Sequence, residues 1–158
     1  MIRATIYIAF LVLLAACATQ AFSPERLTCL VNRERVSRGL RPLIVNRDLN
    51  EDAQHHSESQ ANRHQMTHSR SDRPDMGDVA RSRGYNYRTR AENVAVGDQT
   101  EESVVYKWMH SEVHRRNILT PSFTHAGCGF DPRGNYWTME FLGMDPSRID
   151  YSRVPVCP

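Results

Sequence analysis

The chain lacks the marks of several common functions, and each gap narrows the reading. Its 158 residues carry a formal net charge of only +2, spread along the chain, with no basic stripe interleaved with aromatics, so nucleic-acid binding has no support. Neither a Gly-x-Ser-x-Gly elbow nor a His-Glu-x-x-His helix is present, which removes the standard serine-hydrolase and zinc-protease signatures. There is no internal repeat and no low-complexity linker. The only long apolar run, Ile6 to Ala16 behind Arg3, falls short of the roughly 20 residues that a membrane-spanning helix needs and reads as a targeting segment.

Two small-x-small sites follow that run, Ala16-Cys17-Ala18 and Thr19-Gln20-Ala21. Cleavage after Ala21 is the preferred expectation: a signal peptide over residues 1–21 and a secreted single domain over 22–158, with a core at 26–143, a tail at 144–158 and no transmembrane span. Leu14-Ala15-Ala16-Cys17 also matches a bacterial lipoprotein box, which would leave Cys17 acylated at the mature N-terminus. A mature chain of about 137 residues is long enough to bury roughly two-thirds of its unfolded surface in one core. Its three cysteines are an odd number for an oxidising compartment. Cys29 and Cys157 lie near the two mature ends and are expected to pair, leaving Cys128, in an expected strand, as a buried thiol.

Local signals place helices first and strands last, an α+β pattern. Ser23-Pro24-Glu25 combines a capping hydroxyl, an early proline and an acid, with Leu27, Leu30 and Val31 on one face and Gly39 as the stop. A second helix is expected from Asp48, with Glu51 completing a capping box, to about Arg63. Its face carrying His55, His56 and His64 reads as solvated. Asp75 to Arg83 is a short helix stopped by Gly84, and Val94-Ala95-Val96 a brief strand. Thr100-Glu101-Glu102 caps a helix whose buried stripe is Val104, Val105, Trp108 and Met109. Ala126–Phe130 and Tyr136–Phe141 flank a turn and form a hairpin.

Chemistry concentrates in three places: His68-Ser69, Glu92-Asn93, and the block from Trp108 to Leu119, which holds His110, Glu112 and His114. Imidazoles and carboxylates from separate segments suit an open zinc site with water in the remaining positions. The bland alternatives are a His68 cap, a His114 bond across a helix junction, and a Glu92 that serves its own loop. Tyr85, Tyr87, Trp108, Tyr136 and Trp137 are candidate groove residues, although aromatics at such spacing more often pack a core.

Taken in order, Asn32-Arg33-Glu34-Arg35, Gly39-Leu40-Arg41-Pro42-Leu43, His68-Ser69, Glu92-Asn93-Val94-Ala95, Trp108 to Leu119 and Tyr136-Trp137-Thr138 with Phe141 resemble the CAP superfamily of cysteine-rich secretory, antigen 5 and pathogenesis-related 1 proteins. The resemblance covers about residues 26 to 143 and is closest to the short bacterial and fungal form. It implies a three-layer α-β-α sandwich with a central antiparallel sheet, and a cleft of two histidines and two acids able to bind a divalent metal such as zinc. His68 and Glu92 match the first His and Glu, and His114 the second His, through its distance to Gly127-Cys128-Gly129. The second acid stays open: longer members place it at Ser111, and Glu112 stands where the short form has proline. The cleft is then a tetrad with Glu112 or a triad without it.

The resemblance favours a non-catalytic binder of a small apolar ligand, a sterol or fatty acid, or of an extracellular partner. A hydrolase is the alternative, with Glu92 or Glu112 activating water on a metal held by His68 and His114, or with Ser69 or Ser111 as nucleophile beside a histidine.

Overall fold

The computed structural model describes residues 21–145, 147 and 149–157; the targeting run and Cys17 lie outside the described residues. Ser23 caps the first helix, α1 (Pro24–Val36), by accepting from Arg26 N. A short strand β1 (Ile44–Val45) leads into α2 (Arg47–Arg63). After a polar loop come α3 (Met76–Ser82), β2 (Thr89–Val96) and α4 (Glu101–Met109), the last closed by a Thr100/Ser103 capping box. A second short helix, α5 (Glu112–Ile118), precedes the hairpin β3 (His125–Asp131) and β4 (Tyr136–Gly143). The sheet order is β1-β3-β4-β2, antiparallel except for the parallel β1/β3 pair.

The expected α+β, three-layer arrangement is what the chain adopts. The two faces of the sheet are unlike. Along β4, Trp137, Met139 and Phe141 point to one side, where they meet Leu27 and Val31 of α1, Val104 and Trp108 of α4 and Ile118 of α5 in the main apolar core. The alternate positions Thr138 and Glu140 point to the other side and are also fully buried, beneath α2. A smaller apolar cluster there holds Leu49, Met76, Ala80 and Leu142, with Tyr85 and Tyr87 packed against it.

Glycine makes that second layer possible. A Cβ on Gly127 would lie 2.2 Å from the Leu49 backbone carbon, and one on Gly129 would lie 2.2 Å from Gln54 N. With hydrogen in place of a side chain at alternate β3 positions, the α2 backbone rests on the strand. Asn50 Oδ1 and Gln54 Oε1 then accept from Cys128 N and Phe130 N at 2.9 Å each.

The motif Asn-Arg-Glu-Arg is explained by packing. Asn32 exchanges two hydrogen bonds with the Leu43 backbone. The fully buried Arg35 donates to the carbonyls of Arg41, Ile118, Thr120 and Phe123, and burial lowers its pKa to about 10. Burial without a carboxylate partner is tolerated because every contact is a carbonyl oxygen.

Three local expectations need correction, and one segment divides where no boundary was expected. The N-cap of α2 is Asn46, whose side chain accepts from Leu49 N, while Asp48 instead binds Arg83 and Tyr85. Of the three histidines expected to be solvated, His55 and His64 are exposed, but His56 is buried, together with Asp52, Ser57 and Gln60 on the side of α2 that packs against the sheet. The brief strand at Val94–Val96 extends back to Thr89, because β4 pairs with it over its whole length. The Trp108–Leu119 block breaks at His110, and the segment after it forms the separate helix α5.

A disulfide joins Cys29 of α1 to Cys157, and Cys128 is a buried free thiol. Among the described residues no helix is long and apolar enough to cross a membrane.

Candidate functional site

The cleft is assembled from the C-terminus of α2, the loop after it, β2 and α5. His64 ends α2 in the left-handed conformation, at φ 50°, and turns the chain back across the helix. Two buried α2 side chains pin the returning loop. Gln60 Oε1 accepts from Thr67 N at 3.0 Å, and His56 Nε2 donates to Thr67 O at 2.8 Å. His68 follows at once, its side chain 62% exposed, and its Nδ1 lies 2.8 Å from Glu92 Oε1. The ring nitrogen must donate here, since an ionised carboxylate only accepts.

Glu92 sits on β2 directly opposite Glu140 on β4. Two carboxylates across one register pair would repel, and Arg70 resolves the conflict. Its side chain is 4% exposed and donates to Asp52 Oδ2 at 2.7 Å, Glu92 Oε2 at 2.6 Å and Glu140 Oε1 at 2.5 Å. Arg73 adds a second cation, 2.7 Å from Asp52 Oδ1. Burial, and then the neighbouring Asp52 carboxylate, push Glu140 well above the usual carboxylate range. Its Oε2 is buried and receives no donor, a position that suits a neutral carboxyl, whose proton the neighbouring Asp52 carboxylate can accept. Glu92 goes the other way: despite the opposing effect of burial, His68, His56 and Arg70 together hold it below the usual range. With Glu140 protonated, two arginines face two carboxylates and the buried charge balances.

The second imidazole comes from α5. Asn93 Nδ2 donates to His114 O at 3.1 Å, and Asn117 Nδ2 donates to Asn93 Oδ1 at 2.8 Å, so an asparagine pair ties α5 to the strand that carries Glu92. His114 is half-buried; burial, and then the charge of His68, lower its pKa. Its Nδ1 is buried without a hydrogen-bond partner. Bonding to Glu92 raises the pKa of His68. Glu112 is the first residue of α5 and is exposed, with no hydrogen bond or ion pair to His68, Glu92 or His114 among the described residues. Among the described residues, no three His, Cys, Asp or Glu side chains are grouped so as to hold a metal ion.

The sequence profile of the cysteine-rich secretory protein family, CAP, matches residues 29–142. The chain belongs to the CAP family. Among its relatives, the uncharacterized protein YkwD of Bacillus subtilis is 40% identical over 114 residues, 72% of this chain and 44% of that protein. The uncharacterized membrane protein YlbC of the same organism is 28% identical over 123 residues, 78% of this chain and 35% of that protein. The chain thus spans less than half the length of these curated relatives. Two solved structures share the fold. One is an extracellular protein with an SCP domain from Bacillus anthracis, at TM-score 0.68 and 23% identity over 75% of this chain and 39% of that one. The other is an outer surface protein of Borrelia burgdorferi, at TM-score 0.66 and 15% identity over 75% of this chain and 90% of that one.

Sequence reasoning missed the residues that support this CAP cleft from behind. His56, read as solvated, is 0% exposed and lies 3.7 Å from Glu92 Oε1, and burial lowers its pKa. Asp52, Arg70 and Glu140 carried no pattern of their own. The one available signal was the pair Gly127 and Gly129, which marks a close approach over β3 but does not say what approaches. Of the aromatic candidates, Trp108 and Trp137 are core, with their indole N–H groups donating to Val94 O and Asp98 O.

Proposed function

We propose that this chain is an extracellular, non-catalytic CAP-domain binding protein that takes a small amphipathic acid of the fatty-acid class in the groove between α1 and α4. The carrying observation is an open cavity of about 600 Å³ there, with Leu30, Val105, Met109 and Tyr106 as an apolar lining and a mixed polar surround in which Arg38 and Arg115 stand beside Glu34 and Glu102. That volume lies within the usual range of small-molecule sites. Tyr106 is 66% exposed, and its ring lies 3.9 Å from that of His110, which puts an aromatic pair at the mouth of the groove. Arg38 is already paired with Glu34 at 2.6 Å, whereas Arg115 donates to the Met109 carbonyl and has no carboxylate partner among the described residues, so its guanidinium is the group offered to an acid; a sterol's single hydroxyl gains less from it. Extracellular placement is supported by what the Bacillus anthracis and Borrelia relatives are described to be.

The central cleft is assigned a subsidiary role, weak binding of a divalent metal. Two features support such a site, although no third donor is grouped with the imidazoles among the described residues: His114 Nδ1 is buried without a partner, and His68, held through Nδ1, makes no hydrogen bond through Nε2 among the described residues. His68 and His114 would hold the ion, with water filling the other positions, and a bound zinc would supply Lewis-acid polarisation of an oxygen ligand. The hydrolase alternative has less support. Both Glu92 oxygens are already engaged by His68 and Arg70, and among the described residues neither Ser69 nor Ser111 bonds an imidazole through its hydroxyl.

Native mass spectrometry of delipidated protein with palmitate tests the binding role. A one-to-one adduct is expected, weakened by Tyr106→Asp and by Arg115→Glu in proteins with unchanged thermal melts. No adduct, or one indifferent to both substitutions, overturns it.

A further inference from the structure

The buried arginine behind the cleft has a task that charge balance alone does not require. Arg70 lies two residues after His68, on the same returning loop, yet its side chain turns inward while His68 stays out. Its Nη1 is anchored on Asp52 of α2, and its Nη2 bridges Glu140 of β4 and Glu92 of β2. The guanidinium therefore spans three secondary-structure elements, and its planar fork sets where each carboxylate oxygen lies. Glu92 has one oxygen on Arg70 and the other on His68, so its carboxylate plane cannot rotate without breaking a bond at one end.

We propose that Arg70 is a positioning residue, whose guanidinium, braced by Asp52 and Glu140, fixes the Glu92 carboxylate so that neutral His68 is held as its Nδ1–H tautomer with Nε2 left as the free acceptor. The inference rests on His68 being a working residue of the cleft, as read above. A histidine's tautomer is set by the bond its other nitrogen makes, and a carboxylate on Nδ1 leaves the Nε2 lone pair for a metal or a proton. Left unconstrained, an exposed imidazole would interconvert between tautomers and present the wrong nitrogen for much of the time. Lysine at position 70 keeps the charge but is a single point donor and cannot span three carboxylates.

The test is nitrogen-15 NMR of metal-free protein labelled at histidine, at a pH high enough for His68 to be neutral. In the wild type, His68 Nδ1 is expected to resonate as a protonated nitrogen and Nε2 as one carrying a lone pair. In Arg70→Lys the two resonances should move toward each other as the Nε2–H tautomer becomes populated, while those of His110, whose Nδ1 bonds to the Tyr106 carbonyl on α4, stay in place. Asp52→Asn removes one anchor, keeps the shape, and should move His68 in the same direction by less. It decides the matter if Arg70→Lys does not fold. A wild-type His68 that is Nε2–H overturns the proposal outright, and so does a folded variant with the wild-type tautomer. A zinc titration then separates the two readings. Outer-shell changes at metal-held histidines cost roughly 10- to 100-fold in affinity, the loss expected of Arg70→Lys. If the tautomer is as proposed but the wild type takes no zinc, the positioning role stands and the metal reading falls.

Discussion

Glu140→Gln isolates the protonation state of the buried cluster. Glu140 is fully buried, its pKa is raised well above the usual range, and Oε2 receives no donor. In the unfolded chain the same carboxyl ionises near its ordinary value of 4.5. A group whose folded pKa is raised contributes its stabilisation below the unfolded value and loses it as pH rises toward the folded one. There the unfolded state has released a proton that the folded state still holds. Each pH unit in that window removes about 1.4 kcal/mol from the wild type. Glutamine does not titrate, so the stability difference between Glu140→Gln and wild type should shift steadily in favour of the variant as pH rises from 5 to 7. Near pH 5 the two should be within about 1 kcal/mol, since an amide replaces a neutral acid of the same shape. Urea melts across that range measure the difference, and other titrating groups cancel in the comparison. A flat difference, or a variant weaker by about 3–5 kcal/mol at pH 7, would mean that Glu140 is ionised and paired with Arg70, and the charge assignment of the cleft would be wrong.

The other expectations concern the metal and the layer that carries the cleft. Zinc should bind at neutral pH and be lost in the His68→Ala/His114→Ala double variant, as read by native mass spectrometry. Affinity should rise with pH through the elevated pKa of His68, because the imidazole must shed its proton to ligate; equal binding by wild type and double variant refutes the site. Gly129→Ala should cost about 1–3 kcal/mol in a thermal or urea melt, because its methyl would meet the α2 backbone at 2.2 Å and neither a strand nor a helix axis yields easily. An unchanged melting temperature would show that α2 does not rest on β3 as described.

Much of the fold was legible because its signals are local. Ser23-Pro24 starts a helix through a cap and a fixed φ, the Val104, Val105 and Trp108 spacing selects one buried face, and the turn at 131–135 joins two alternating strands. Each depends on neighbours within a few positions, as propensity and periodicity do. The ordered motifs carried the family, and with it the expectation that His68, Glu92 and His114 belong to one cleft.

The cleft's support was not legible, for a physical reason. Asp52, His56 and Glu140 are residues that pattern rules send to solvent, because burying a charge or an imidazole is costly unless partners are supplied. Those partners lie far along the chain: Arg70 is 18 residues from Asp52 and 70 from Glu140. Nothing in the sequence around Glu140 says that an arginine will cover it. The sequence by itself determined the elements, the apolar core and the candidate histidines. Only the tertiary structure decided that the polar face of α2 turns inward, that two glycines let it come close, and that one guanidinium gathers three carboxylates behind the cleft.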